Sequence, residues 1–184
     1  MRKLLPPLLA VLTLLIGCHF VLPFWTALEL KRAIRSGDAA TVEARVEWDS
    51  VRASLRQSLT EQAPQEARRR FGNIPIFHKL AEKIALNYSR PVVDKMVDSF
   101  GNADGLIRFY SWRETVNGQK SSRTLAGIAQ EMMGRVKRVS FASLTRLEVT
   151  IADRMDPQRL IFSALELRGS GWKLTEVRLL PRVE

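Results

Sequence analysis

The chain has 184 residues, with 29 Lys+Arg against 19 Asp+Glu, a formal net charge of +10, one Cys and two His. That length suits one ordinary domain plus a short appendage, and 46% hydrophobic with 26% charged residues excludes wholesale disorder. A single Cys excludes an intrachain disulfide framework, and with only two His beside it a Cys/His zinc site has too few ligands.

Apart from Arg2 and Lys3, the first 28 residues carry no ionised side chain, and Glu29 is the first acid. As a helix, the uncharged run from Leu4 to Leu28 would measure roughly 37 Å, longer than a hydrocarbon core of about 30 Å. Pro6 and Pro7 fit its first turn, where missing N–H groups cost little, and Phe24 and Trp25 stand where an interfacial aromatic belt belongs. The pattern predicts a membrane segment over residues 4–25 and divides the chain into an N-terminal anchor or signal unit, 1–25, and one domain, 26–184. Two other fates compete. Leu15-Ile16-Gly17-Cys18 has the order of a lipobox, which would attach a lipid at Cys18, and an ordinary secretory signal would be cut after a small residue. The continuing apolar stretch His19 to Trp25 favours the retained anchor, because a lipidated chain normally enters a polar tether. Arg2, Lys3 and the amino terminus favour an N-terminus inside, although Lys31, Arg32 and Arg35 flank the other end.

Beyond the anchor, residues 26 to 184 hold 27 basic and 19 acidic residues. Leu30 and Ile34 share a helix face that Ser36-Gly37 ends, and Asp38 caps a second helix from Ala39 to about Arg45. Asp49 or Ser50 is placed to cap a third, in which Val51, Leu55 and Leu59 align at i, i+4 spacing; Pro64 bends or restarts it before Arg68-Arg69-Arg70. Gly72-Asn73-Ile74-Pro75 signals a turn, and Phe77, Leu80, Ile84 and Tyr88 predict a helix up to Ser89-Arg90-Pro91. Val92, Val93, Met96, Val97 and Phe100 predict one packed face, and Asn102 or Asp104 caps a helix carrying Leu106, Ile107 and Tyr110. Leu125 to Ala129 fits a short helix or a loop.

After Gly134 the hydrophobic period falls from near 3.6 to 2. Leu147, Val149 and Ile151 alternate with Arg146, Glu148 and Thr150, and Ile161, Leu165 and Leu167 share a face of a second strand. Gly169-Ser170-Gly171 makes a tight reversal. Trp172 and Leu174 then fall out of phase with Val177 and Leu179, so one extra residue between them predicts a bulge. Val136 to Phe141 fits a further strand. The fold class expected is α+β: an N-terminal transmembrane or signal helix, several short helices, and a curved antiparallel sheet of three to four strands.

Several short motifs carry a family resemblance: Pro23-Phe24-Trp25, Leu30 to Ile34, Gly37-Asp38, Val46-Glu47-Trp48, Val51-Arg52-Ala53-Ser54-Leu55, and the closing Trp172-Lys173-Leu174 through Leu180-Pro181. With them the chain resembles an uncharacterised bacterial family, a domain of unknown function numbered twenty-nine thirty-nine. Glu47-Trp48 replaces the family's Asp-aromatic pair but keeps charge and ring. The resemblance implies a short exported or anchored protein, placed in the bacterial inner membrane with its domain in the periplasm, and assigns no chemistry. The order of helices and bent meander is also similar to cone-shaped domains of the nuclear-transport-factor-two type, in which helices and sheet enclose an apolar pocket.

No catalytic, cofactor-binding or metal-ligating residue is assigned. His19 and His78 lack convergent carboxylates, and Asp94, Asp98 and Asp104 lack the alternating ligands and closing Glu of a calcium loop. Trp48, Trp112 and Trp172 read first as core residues. The basic groups Lys31, Arg32 and Arg35 beside the bilayer suit anionic lipid; Arg68 to Arg70 and Arg135, Lys137 and Arg138 form two more clusters. Nucleic acid is not an expected partner, since no reading motif accompanies the charge. The leading expectation is a non-enzymatic, membrane-anchored envelope protein that binds a lipid, a small apolar ligand or a protein partner. The alternative is a small cone-fold enzyme with Asp38 or Asp49 as a pocket carboxylate.

Overall fold

Where the hydrophobic period changes after Gly134, the backbone changes from helix to strand. The computed structural model describes residues 5–71, 91–117, 124–153, 157–169 and 171–181, and within them the side chains other than those of 5–16, 18, 63–71, 113, 116 and 117. Helix α1 spans Leu5–Ser36, α2 Ala39–Arg45 and α3 Trp48–Phe71; α4 covers residues 91–100, α5 spans Ala103–Asn117 and α6 Leu125–Met133. Strands β1 (Val136–Ser143), β2 (Arg146–Ala152), β3 (Leu160–Arg168) and β4 (Gly171–Leu179) form one antiparallel meander in the order β1-β2-β3-β4. The α+β class and the four-stranded sheet agree with the sequence pattern.

The N-terminal helix differs from expectation. No separate transmembrane helix ends at Trp25: α1 is continuous for 32 residues, roughly 48 Å, with Pro23 inside it. Leu22 aside, the residues next to Pro23 are aromatic or β-branched and not strong helix formers. Packing of this stretch on the sheet, not local propensity, carries the helix past it, and the shift from apolar to charged composition changes the helix surface without ending the helix. Among the described residues no helix is long and apolar enough to cross a membrane. Gly37, at φ 76°, ends α1, and Asp38 N–H donates back to the Ala33 carbonyl at 2.9 Å, the backward bond of a glycine-terminated helix. Asp38 then caps α2, accepting from Thr41 N at 3.1 Å and Thr41 Oγ1 at 2.6 Å.

Asp49 does not cap α3. The helix begins one residue earlier, at Trp48, which leaves Asp49 in its first turn, where it accepts from Arg52 at 2.5 Å. Helix α3 also runs through Pro64 without a break. The turn at Gly72 to Pro75 and the helix read over Ile76 to Tyr88 lie outside the described residues. In α4 the five apolar residues divide between two faces: Val93 and Val97 are buried, whereas Val92, Met96 and Phe100 are exposed. Asn102 Oδ1 accepts from Gly105 N at 2.8 Å and caps α5, and Thr124 caps α6 through Gly127 N at 3.2 Å.

The core has two parts. Leu30 and Ala33 of α1 pack with Val42, Val46, Val51 and Ala103, against which Leu174 and Val177 of β4 also rest. Leu147, Leu165 and Trp172 form the second part, on which Ala27 of α1 sits. Full burial of a side chain such as Leu147 stabilises by about 1.5–3 kcal/mol. The register pairs Leu147 with Leu165 and Ile151 with Ile161, so the apolar residues read from the alternation do share the face under α1. Between Leu174 and Glu176 the pairing slips by one, which makes Thr175 the extra residue of a bulge.

One edge of the sheet is closed by polar groups of α3. Val46 bridges Leu174, and Glu47 N donates to the Leu174 carbonyl at 2.9 Å. Farther along, Ser54 Oγ accepts from Val177 N at 3.1 Å and Ser58 Oγ from Leu179 N at 3.4 Å, while Gln62 donates to the Leu179 carbonyl. Residues 54, 58 and 62 recur every four along the helix and meet alternate residues of β4. They satisfy an edge that would otherwise offer free ladder groups to another chain.

Candidate functional site

The sheet face away from α1 is polar. Arg146 lies across from Glu166, and its guanidinium reaches three carboxylates: Glu148 at 3.0 Å, Glu176 at 2.6 Å, and Glu166. Arg168 pairs with Glu166 and Arg178 with Glu176, each at 2.6 Å, and Arg178 also stacks over Phe162 at 4.6 Å. Burial opposes the charge on Arg146, but the hydrogen bonds it donates to Glu176, Glu148 and Glu166 hold its pKa above the ordinary arginine value. Period-2 alternation on β2 to β4 puts these charges on one face, and a planar donor fork suits several carboxylates at once.

Between this ladder and α3 lies an open groove of about 290 Å³, lined by Ser50, Ala53, Ser54 and Gln57 from α3 and by Arg146, Glu166, Arg168, Thr175 and Glu176 from the sheet. Its carboxylates are engaged by arginines, so the groove presents paired charges, hydroxyls and an amide. Such a lining recognises polar groups and does not match the apolar pocket implied by the cone analogy. Asp38 and Asp49 do not line it. Asp38 is fully exposed, and its pKa is lowered by the Thr41 hydroxyl and backbone N–H; the Asp49 side chain is 90% exposed against Arg52.

The basic residues next to the apolar run separate into two kinds. Arg35, whose side chain is only 6% exposed, donates to Tyr110 Oη at 2.9 Å and to Glu131 at 2.6 Å. Burial works against its charge, but Glu131 and Tyr110 hold its pKa above the usual value. Lys31 meets the same carboxylate at 3.6 Å with its side chain 17% exposed. Burial, with Arg35 and Arg135 nearby, pulls Lys31 from 10.5 down to about 8 against the opposing pull of Glu131. Arg32 is exposed. Of the three cations assigned to lipid, Lys31 and Arg35 thus turn toward α5 and α6. Arg135 donates twice to the Ala152 carbonyl, at 3.0 and 2.8 Å, while Lys137 and Arg138 are exposed on β1. The side chains of Arg68 to Arg70, and His78, lie outside the described residues.

The middle of α1 meets the β1–β2 hairpin. His19 Nε2 donates to the Leu144 carbonyl at 2.5 Å, and its ring lies 5.7 Å from that of Trp172. Phe20 and Phe24 both meet Phe141, with centroids 4.9 and 6.3 Å away. Trp172 is buried, and Trp48 packs on the core while donating to Glu43 at 2.7 Å; Trp112 is exposed instead. Asp94 and Asp98 both pair with Arg56. Among the described residues no group of three or more His, Cys, Asp or Glu is placed to hold a metal ion.

Sequence reasoning missed the three-carboxylate arginine and the hydroxyl stripe of α3. The first was encoded in the polar half of the strand alternation, which needed only strand pairing to become a ladder. No curated protein and no solved structure matches the chain. The family described as Protein of unknown function (DUF2939) matches residues 12–109, from within α1 to within α5, and leaves the sheet outside the matched segment. With more than half its length covered, the chain belongs to the DUF2939 family of proteins of unknown function.

Proposed function

We propose that the protein is a membrane-anchored envelope protein without catalytic chemistry, whose α+β domain is held at the bilayer by α1 and presents the polar groove to a partner. The carrying observation is the continuity of α1: one helix begins in the uncharged run at Leu5, packs Leu30 and Ala33 into the core and ends at Ser36. A helix shared in this way couples the domain rigidly to whatever holds its apolar half. The inner membrane, with the domain on the periplasmic side, follows from the short basic start at Arg2 and Lys3. The groove favours a polar partner group over a small apolar ligand, because its lining is made of hydroxyls, an amide and paired charges.

Fractionation tests this reading. The full-length chain is expected in the membrane pellet, resistant to carbonate and released by detergent. Recovery in the soluble pool without detergent refutes the anchor.

A second reading is favoured by one observation. At Gly17 an added methyl group would meet no neighbour within 4 Å, and the described sheet contacts of α1 begin at His19. Cleavage before Cys18 would therefore retain every described residue that touches the sheet. Mass spectrometry of the mature N-terminus separates the two: a diacylglyceryl adduct on Cys18 selects the lipoprotein, an intact Met1 the anchor.

A further inference from the structure

We propose that the tip of the β1–β2 hairpin is a second bilayer contact, seated in the membrane interface beside α1. This rests on the anchor reading and adds the part of the domain that touches lipid.

The first argument is helix geometry. A hydrocarbon core of about 30 Å needs roughly 20 helical residues at 1.5 Å each, so a span beginning with α1 at Leu5 reaches the far boundary near Phe24. The domain is already attached to α1 before that level. His19 holds the Leu144 carbonyl, and Phe20 and Phe24 hold Phe141. From His19 to Phe24 is roughly 7 Å along the helix, which brings the hairpin tip to the depth of the interface. A spanning α1 therefore carries the tip into lipid with it.

The second argument is composition. From Val139 to Thr145 the hairpin has seven consecutive residues without a charge, VSFASLT, in a chain that is 26% charged. Leu144 at the turn is 70% exposed and Val139, back along β1, is also exposed, so the hairpin shows uncharged apolar side chains to water beside the hydroxyls of Ser143 and Thr145. Its polar atoms are partly satisfied within the turn. Thr145 N donates to Ser143 Oγ at 3.2 Å, the two hydroxyls lie 3.2 Å apart, and Leu167 N donates to the Thr145 carbonyl at 2.9 Å. Internal hydrogen bonds lower the cost of leaving water. The same sheet end carries Arg168, exposed and next to Leu167, where a guanidinium meets phosphate headgroups. On α1, Val21, Leu22 and Trp25 are exposed on the helix faces turned away from the hairpin, so the same level of α1 is apolar on its free side too.

The test uses the full chain with Cys18→Ala, reconstituted in vesicles of phosphatidylethanolamine and phosphatidylglycerol. An environment-sensitive fluorophore is placed on Leu144→Cys, on Ser143→Cys as a second tip site, and on Pro157→Cys at the opposite end of the sheet. Expected are a blue-shifted emission at both tip sites, several-fold protection from aqueous iodide relative to Pro157, and quenching by lipid-borne nitroxide. Vesicle-bound chain whose tip probes are as open to iodide as Pro157 overturns the hairpin contact and leaves the anchor standing. Chain that does not sediment with vesicles overturns both.

Discussion

Lys31 shows how a residue's charge is decided by what faces it. Burial, joined by its positive neighbours Arg35 and Arg135, outweighs the one carboxylate, which Arg35 already holds more closely. Its folded pKa of about 8 lies below the unfolded value of 10.5. Between these values the unfolded chain binds a proton that the folded chain has shed, so stability rises with pH through that window and the penalty is fully present below it. Lys31→Met is expected to raise stability below pH 8 by about 1–3 kcal/mol and to abolish the alkaline rise, as read by denaturant unfolding across the window. Arg35 behaves oppositely because two partners are aimed at it. Asp38 is the residue the sequence described fully: a cap needs only the local order Gly-Asp before a helical run. Asp49 illustrates the limit, since one residue of uncertainty in the helix start converts a cap into an ordinary first-turn acid.

At the scale of elements, the bulge at Thr175 was legible because a period of 2 has no tolerance: one surplus residue inverts every side chain after it. The hydroxyl stripe of α3 was not. Ser54, Ser58 and Gln62 at four-residue spacing look like any solvated helix face until β4 lies against them. Ser58 is 2% exposed and accepts from Leu179 N, so its loss leaves a part-buried donor unpaired. Ser58→Ala is expected to cost about 1–3 kcal/mol in chemical unfolding, and the double variant with Ser54→Ala more, with increased self-association from the opened edge measured by light scattering. Helix α4 teaches the same lesson: its apolar residues at 92, 93, 96, 97 and 100 cover a wide arc, and only the packing partner decides which of them are buried.

For the whole molecule, α1 has two duties. Its charged half closes the core through Leu30 and Ala33, and the stretch from His19 to Ala27 lies over Trp172 and Phe141. A chain lacking residues 1–18 is expected to retain a cooperative thermal transition, followed by circular dichroism. One lacking residues 1–25 also loses Phe20, Pro23 and Phe24 and is expected to fall by about 3–5 kcal/mol or aggregate. Equal melting of the two would show that this stretch contributes nothing to the domain.

By itself the sequence determined the order of helices before strands, the phase of each strand, the cap at Asp38, a cap at Asn102 or Asp104, and the family. These are all written in spacing along the chain, where neighbours are a few residues apart. Only the tertiary structure decided that α1 continues past Trp25, that Lys31 and Arg35 turn inward, that one arginine gathers three glutamates, and that the hairpin tip meets His19. The last three join groups far apart in sequence, and no local period records which surface another element will cover.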